Sequence, residues 1–228
     1  VSISQQYVDY VVKVDSIGDP AKIGAGAARL TKNPRDLMIA QRTVDVMAAS
    51  RRFKDGFSFQ TGAGAISIAT TKYLAERMKE RGVKASFALG GIPAAIIDMY
   101  DEGLVRVVAC SQSFDAVAAQ VSIVTIPVIR GRTPSIVKKV FTTCTPGETV
   151  AVVVTEAGIA PNPKHKNYQE LKADLEAAGL KLVTIEELQQ LAESMTGVPK
   201  PIETGDKVVC MVEYRDGSVV DVIRQIKK

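Results

Sequence analysis

The chain has 228 residues, 46% apolar and 24% charged, with a net charge of +4. That length and composition suit one or two soluble globular domains. No apolar run approaches the ~18 residues of a membrane helix, neither end reads as a signal peptide, and basic residues are interspersed with acids, so neither membrane nor nucleic acid is called for. The first residue is Val1 rather than Met, the start expected of a fragment. Cys110, Cys144 and Cys210 are far apart and each lies in an apolar run, which predicts buried free thiols in a reducing cytoplasm and no metal site. His165 is the only histidine, so a Ser-His-Asp or Cys-His arrangement has a single possible centre, with no acid close by in sequence.

In chain order, residues 7–14 (Y-V-D-Y-V-V-K-V) read as a strand closed by Gly18, Asp19 and Pro20. Residues 36–49 read as a helix approached through Asn33-Pro34, and 57–61 as a strand. Residues 65–81 give the clearest helix: Ile66, Ala69 and Tyr73 form one stripe, Leu74 and Met78 its neighbour, Lys72 and Glu76 an i,i+4 pair, and Gly82 the stop. Residues 85–89 and 105–110 read as strands around a helix at 93–100. Residues 121–128 and 150–155 are near-continuous apolar runs, expected of central parallel strands. Helices at 168–178 and 186–195, a short strand at 182–185, and strands at 208–214 and 218–223 around Asp216-Gly217 complete the pattern. The sum is an α/β domain on a mostly parallel sheet with a terminal hairpin.

One junction is physically awkward. Residues 113–120 read as a helix, yet Val121 begins a strand with no Gly, Pro, Asn or Asp between. Helix-to-strand changes normally take several connecting residues and a cap. Gln120 and Val121 are therefore expected not to be neighbours in the natural protein.

Two constellations carry chemistry. In F-S-F-Q-T-G-A-G-A (residues 57–65) a strand runs into Gly62 and Gly64, and a helix follows at once. Glycines let a ligand approach the main chain, and the helix start aims N–H groups and positive dipole at a phosphate or carboxylate. A plain tight turn gives the same pattern. In V-V-V-T-E-A-G-I-A (residues 152–160) a buried strand ends in Thr155-Glu156, and Gly158 opens a loop. Ligands of parallel α/β sheets collect beyond the carboxyl ends of strands. Glu156 there can orient a substrate, act as a base, or attack a thioester, or it can cap a turn or pair with an arginine. Arg130-Gly131-Arg132 also follows a strand end, and two guanidinium groups suit a multiply charged carboxylate or nucleotide phosphates as well as a solvated loop.

These segments, with A-L-G-G-I-P (88–93), D-E-G-L-V-R (101–106), I-P-V-I-R-G-R-T-P (126–134), V-V-V-T-E-A-G-I-A-P-N-P (152–163), Y-R-D-G-S-V-V-D-V-I (214–223) and V-D-Y-V-V-K-V-D-S-I-G-D-P (8–20), closely resemble the α chain of citrate lyase, in order and across the chain. The resemblance implies a citrate CoA-transferase activity, in which citrate replaces acetate on an acyl carrier thioester and a β chain then cleaves the citryl-carrier. It implies a CoA-transferase-like (NagB/RpiA/CoA-transferase) α/β fold, an open sheet flanked by helices and usually present twice per chain. Residues 1–228 resemble the C-terminal half. The family carries some tens of residues between the counterparts of Gln120 and Val121, which agrees with the awkward junction.

The implied partners are the β and γ (acyl carrier) chains, citrate and acetate, in a homo- or hetero-oligomer. No cofactor is expected to bind tightly; the chain acts on the CoA-like prosthetic group of the carrier. Related CoA-transferases share a Gln-x-Gly-x-Gly loop and place a catalytic Glu a few residues after a Leu-Gly. Leu89-Gly90-Gly91-Ile92-Pro93-Ala94 has no acid. Direct exchange in a ternary complex is thus expected, with main-chain N–H groups at Gly62 to Gly64 and at Gly90-Gly91 holding the oxyanion. The expected catalytic set is Gln60, Gly62, Gly64 and Glu156. The expected substrate-binding set is Gly90, Gly91, Arg130, Arg132, Thr155 and Gly158. An acyl-CoA hydrolase or other CoA-transferase using Glu156, and a non-catalytic sugar-phosphate- or CoA-binding module or scaffold half, are the alternatives.

Overall fold

A computed structural model describes residues 4–16, 30–62, 64–110, 119–214 and 216–227. The expected turn at Gly18, Asp19 and Pro20, residues 113–118 of the helix expected at 113–120, and Ala63 lie outside them; Ala119 and Gln120, at that helix's expected end, are not helical.

Helix α1 (Pro34–Ala49) starts where the sequence signals a start: the Asn33 side chain accepts the Arg35 N–H and Pro34 occupies the first turn. Strand β1 (Phe57–Thr61), α2 (Ala65–Arg81), β2 (Ala85–Gly90), α3 (Ala94–Asp101) and β3 (Val108–Cys110) then form a β-α-β-α-β unit with an all-parallel sheet, Phe59 beside Ala88 and Leu89 beside Ala109. Gly82 ends α2 in the left-handed conformation at φ 62°.

A second sheet joins β4 (Ile123–Thr125) in parallel to β7 (Val152–Val154), and β7 in antiparallel fashion to β8 (Ile159–Pro161). Between them, β5 (Ile129–Arg130) and β6 (Thr133–Pro134) make a minimal hairpin. Helix α4 (Tyr168–Ala177) buries Leu171 and Leu175 against β7 and β8. Helix α5 (Ile185–Thr196) opens with a reciprocal Thr184–Glu187 capping box and packs Leu188 and Ala192 beside Val128, Ile136 and Ala160. Strands β9 (Thr204–Glu213) and β10 (Val219–Ile226) form the terminal hairpin.

Helix α1 is the shared wall. Val44 and Ala48 belong to the core of the parallel unit, with Phe59, Leu74, Met78, Ile96 and Met99. Ile39 and Val46, on the opposite flank, belong to the core of the second sheet with Val152, Val154 and Leu175. Among the described residues no helix is long and apolar enough to cross a membrane.

Several expectations need correction. Residues 7–14 are not a strand: Gln5–Tyr7 is a short 3-10 turn and the rest is irregular, with Tyr10 and Val11 each 89% exposed. β-Branched composition gives propensity only, and a strand exists only where a ladder partner is at hand. The strands expected at 105–110, 121–128 and 150–155 shrink to three residues each, and that at 182–185 to one bridge between Leu182 and Ile159. The antiparallel β8 makes the second sheet mixed. Cys144 and Cys210 are exposed rather than buried, since Cys210 lies in a two-stranded hairpin and Cys144 in a loop.

Candidate functional site

The first constellation forms at the carboxyl ends of β1 and β2, where Thr61 lies in register with Gly90. Gln60 is exposed, and its Nε2 donates to the Thr61 carbonyl at 3.2 Å. Its stem crosses Gly90: a Cβ there would stand 2.9 Å from Gln60 Cγ and 3.0 Å from the Thr61 carbonyl. Gly90 also has φ +112°, so both sterics and backbone require glycine. Gly91 follows as a half-buried bend. At Gly62 a Cβ would come 3.1 Å from Ser67 Oγ, which places a first-turn hydroxyl of α2 over the loop. Ser67 carries no signal of its own in the sequence, because a serine in a helix looks like a solvated position.

Gly64 is different. It is the N-terminal cap of α2 with φ −75°, it offers no capping side chain, and a Cβ there would meet nothing within 4 Å. Nothing in the fold demands glycine there. Ile68 N–H donates to the Gly64 carbonyl, so the amides before it are left without intrahelical acceptors. Beside the loop, the buried Thr61 hydroxyl has no hydrogen-bond partner among the described residues.

The second constellation is the four-residue turn, 155–158, between β7 and β8. Thr155 is fully buried and its Oγ1 accepts the N–H groups of Ala157 and Gly158, each at 3.0 Å, while its own N–H donates to the Gly158 carbonyl. A Cβ on Gly158 would stand 2.5 Å from Val183 Cγ2. Thr155 and Gly158 therefore shape the turn. Glu156, half-buried at its tip, accepts the Val128 N–H on Oε2 at 3.0 Å. Arg42 of α1 reaches over, and its Nη1 donates to the carbonyl of Thr155 at 2.9 Å and to the carbonyl of Glu156.

Val128 leads directly into the β5–β6 hairpin, whose turn places Gly131 at φ 60° and exposes both Arg130 and Arg132. Arg35 Nη1 ties the hairpin base through the Ile129 carbonyl at 3.4 Å. The structure thus gathers Glu156, Arg42 and the arginine hairpin at the carboxyl ends of β4 and β7. It gathers Gln60, Gly62, Gly64 and Gly90 at the carboxyl ends of β1 and β2. Ile66, in the first turn of α2, packs against the core that contains Val154 and Ile159, which links the two groups through the α1–α2 wall.

His165 stands apart. It is 5% exposed, its Nδ1 accepts the Asn167 N–H at 3.1 Å, and burial, then the charge of Lys166, holds its pKa below the ordinary 6.5. Asn162, to which the His165 N–H is bonded, pairs with Ala151, at the end of β7 away from Glu156. Nearby, Asn167 Nδ2 donates to the Gln120 carbonyl at 2.9 Å, and Arg52 Nη1 donates to the Gln120 side chain. No group of three or more His, Cys, Asp or Glu among the described residues is placed to hold a metal ion.

Comparison with known proteins gives a consistent result. The family model for the citrate lyase alpha subunit (CitF) matches residues 1–121 and 116–226. The chain is 40% identical to the citrate lyase alpha chain of Klebsiella pneumoniae over 296 aligned positions, covering 99% of this chain and 58% of the relative. It is 39% identical to that of Escherichia coli K12 over 297 positions, covering 100% and 58%. A crystal structure from Streptococcus mutans, assigned as the alpha subunit of citrate lyase and determined in complex with citrate, superposes with a TM-score of 0.88 at 36% identity, covering 100% of this chain and 58% of that one. The chain spans about 58% of the length of the curated relatives. The alignments run over more positions than the chain has residues, and the family match divides at 116–121, so relatives carry residues without counterpart here, in agreement with the awkward Gln120–Val121 junction.

Proposed function

The chain belongs to the citrate lyase alpha subunit family, and we propose that it forms the C-terminal, CoA-transferase-type domain of a cytoplasmic enzyme that exchanges acetate for citrate on an acyl carrier thioester. The observation that supports this best is the glycine loop at the start of α2, packed against Gly90 through Gln60, in a chain 36–40% identical throughout to citrate lyase alpha chains.

The step balances without an added proton. A citrate carboxylate oxygen attacks the acetyl thioester carbonyl, the C–S bond breaks, and the carrier thiolate leaves a citryl-acetyl anhydride. The thiolate then attacks the citryl carbonyl, the bond to acetate breaks, and citryl thioester and acetate result. Each attack places negative charge on a carbonyl oxygen, which the amides of Gly62 to Gly64 and Gly90-Gly91 receive. One such donor is worth roughly 100- to 1000-fold in rate. Holding acceptor and thioester together supplies much of the remainder. Arg130 and Arg132, exposed on their hairpin, meet the other carboxylates of citrate. Glu156, anchored on Val128, orients the acceptor with its other oxygen. The carrier's CoA-like prosthetic group enters as substrate, and the β and γ chains are the partners.

Transfer from acetyl-carrier to citrate is measured against transfer to water. Acceptance of citrate is the expected result; release to water alone would indicate a hydrolase. Hydroxylamine trapping with mass analysis is expected to leave Glu156 unmodified. A hydroxamate at Glu156 would replace direct exchange by a glutamyl-thioester route.

A further inference from the structure

Arg42 lies in mid-helix and carries no sequence motif; like Arg81 and Arg224 it is held by a backbone carbonyl, but it bridges two of them. Arg51, Arg52, Arg77 and Arg106 each pair with an acid. Arg42 has no ion-pair partner among the described residues. Its Nη1 is committed to two consecutive carbonyls, those of Thr155 and Glu156. The Glu156 carboxylate turns instead to the Val128 N–H. The guanidinium is thereby fixed in a half-buried setting, with its Nε–Nη2 edge unbonded among the described residues.

We propose that Arg42 receives a carboxylate of the acceptor at the Glu156 turn, as a contact that, together with those of Arg130 and Arg132, distinguishes a polycarboxylate from a monocarboxylate. The proposal rests on the reading that citrate is the acceptor. The Nε–Nη2 edge is the side-on fork that matches the two oxygens of a carboxylate. Because the carbonyls hold the side chain in place beforehand, little conformational freedom is lost on binding. The half-buried cation, unpaired within the described chain, gains its counter-charge from the ligand. Arg130 and Arg132 lie on the hairpin that follows Val128, the same residue that anchors Glu156.

Citrate and acetate binding to the full 228-residue chain, measured by titration calorimetry for wild type, Arg42→Gln and Arg42→Lys, tests the assignment. Arg42→Gln is expected to weaken citrate about 10- to 100-fold, the range for losing bonds to a charged group. The ratio of citrate to acetate affinity is expected to fall at least about tenfold. Arg42→Lys is expected to be intermediate, because an ammonium keeps the charge without the fork. Parallel weakening of citrate and acetate would mean that Arg42 only braces the turn, and would overturn the proposal while leaving the transferase reading intact; unchanged citrate affinity would do the same. Failure of the wild-type chain to bind citrate would overturn both. Should Arg42→Gln unfold, the affinity ratio of Arg42→Lys decides between the same outcomes.

Discussion

Gly64 and Gly90 border the same loop, yet their missing side chains answer to different demands. Gly90 is required by the fold, since φ +112° and the 2.9 Å approach of Gln60 leave no room for a Cβ. Gly90→Ala is expected to cost about 2–3 kcal/mol in urea unfolding, from strain and overpacking together. Gly64→Ala meets nothing within 4 Å and is expected to fold with a loss below about 1 kcal/mol. Its transfer rate is nevertheless expected to fall more than about tenfold, because the new methyl faces the approaching thioester. Normal transfer by Gly64→Ala would remove the loop from the site. Gly158 has a steric partner of another kind, and Gly158→Ala is expected to lose about 1–3 kcal/mol against Val183, with partial recovery in Gly158→Ala/Val183→Ala. The glycine pattern was legible in the sequence because short-range turn chemistry writes it. Arg42 was not legible, because its partners lie more than 100 residues away on another element.

At the scale of elements, the N-terminus of α4 has a titratable brace. His165 accepts the Asn167 N–H on Nδ1, so it must stay neutral there, and its folded pKa lies below the 6.5 of the free side chain. The unfolded chain therefore binds a proton first, and stability is full above pH 6.5 and declines as pH falls below it toward the folded value. Urea unfolding from pH 7.5 down to 5 is expected to show this slope, and His165→Gln is expected to flatten it. Asp174, held below 3.8 chiefly by the hydrogen bond from Arg51, gives way only at more acid pH, so the two effects separate. Apart from the helix expected at 113–120, which lies mostly outside the described residues, helices were legible to within two residues because caps and periodicity are local: Asn33-Pro34 opens α1, and Gly82 closes α2. Strand limits were less so, since they depend on partners far along the chain. Residues 7–14 have strand composition and no ladder among the described residues, whereas β9 and β10 pair as their Asp216-Gly217 turn promised.

For the molecule as a whole, α1 lets one helix serve two cores, Val44 and Ala48 facing one, Ile39 and Val46 the other. The α/β class was legible from alternation alone, but the division into two sheets across α1 was not, because no local signal records which sheet a strand joins. At the Gln120–Val121 junction, Val121 packs against the core of the second sheet, while Gln120 is held by Arg52 and Asn167. Restoring the family's intervening segment at this point is expected to leave the thermal midpoint within a few degrees, since doubling a loop adds only about 0.6 kcal/mol of closure entropy. A fall of more than about 10 °C in calorimetry would mean that the direct junction is itself part of the fold.

The bond between Glu156 and Val128 also turns one amide into a built-in spectroscopic probe. The proton on Val128 N, in a residue only 2% exposed, is held by that carboxylate. Its chemical shift therefore records the state of Glu156 with no label added, and a ligand that draws the carboxylate away will be seen at Val128 before any product has formed.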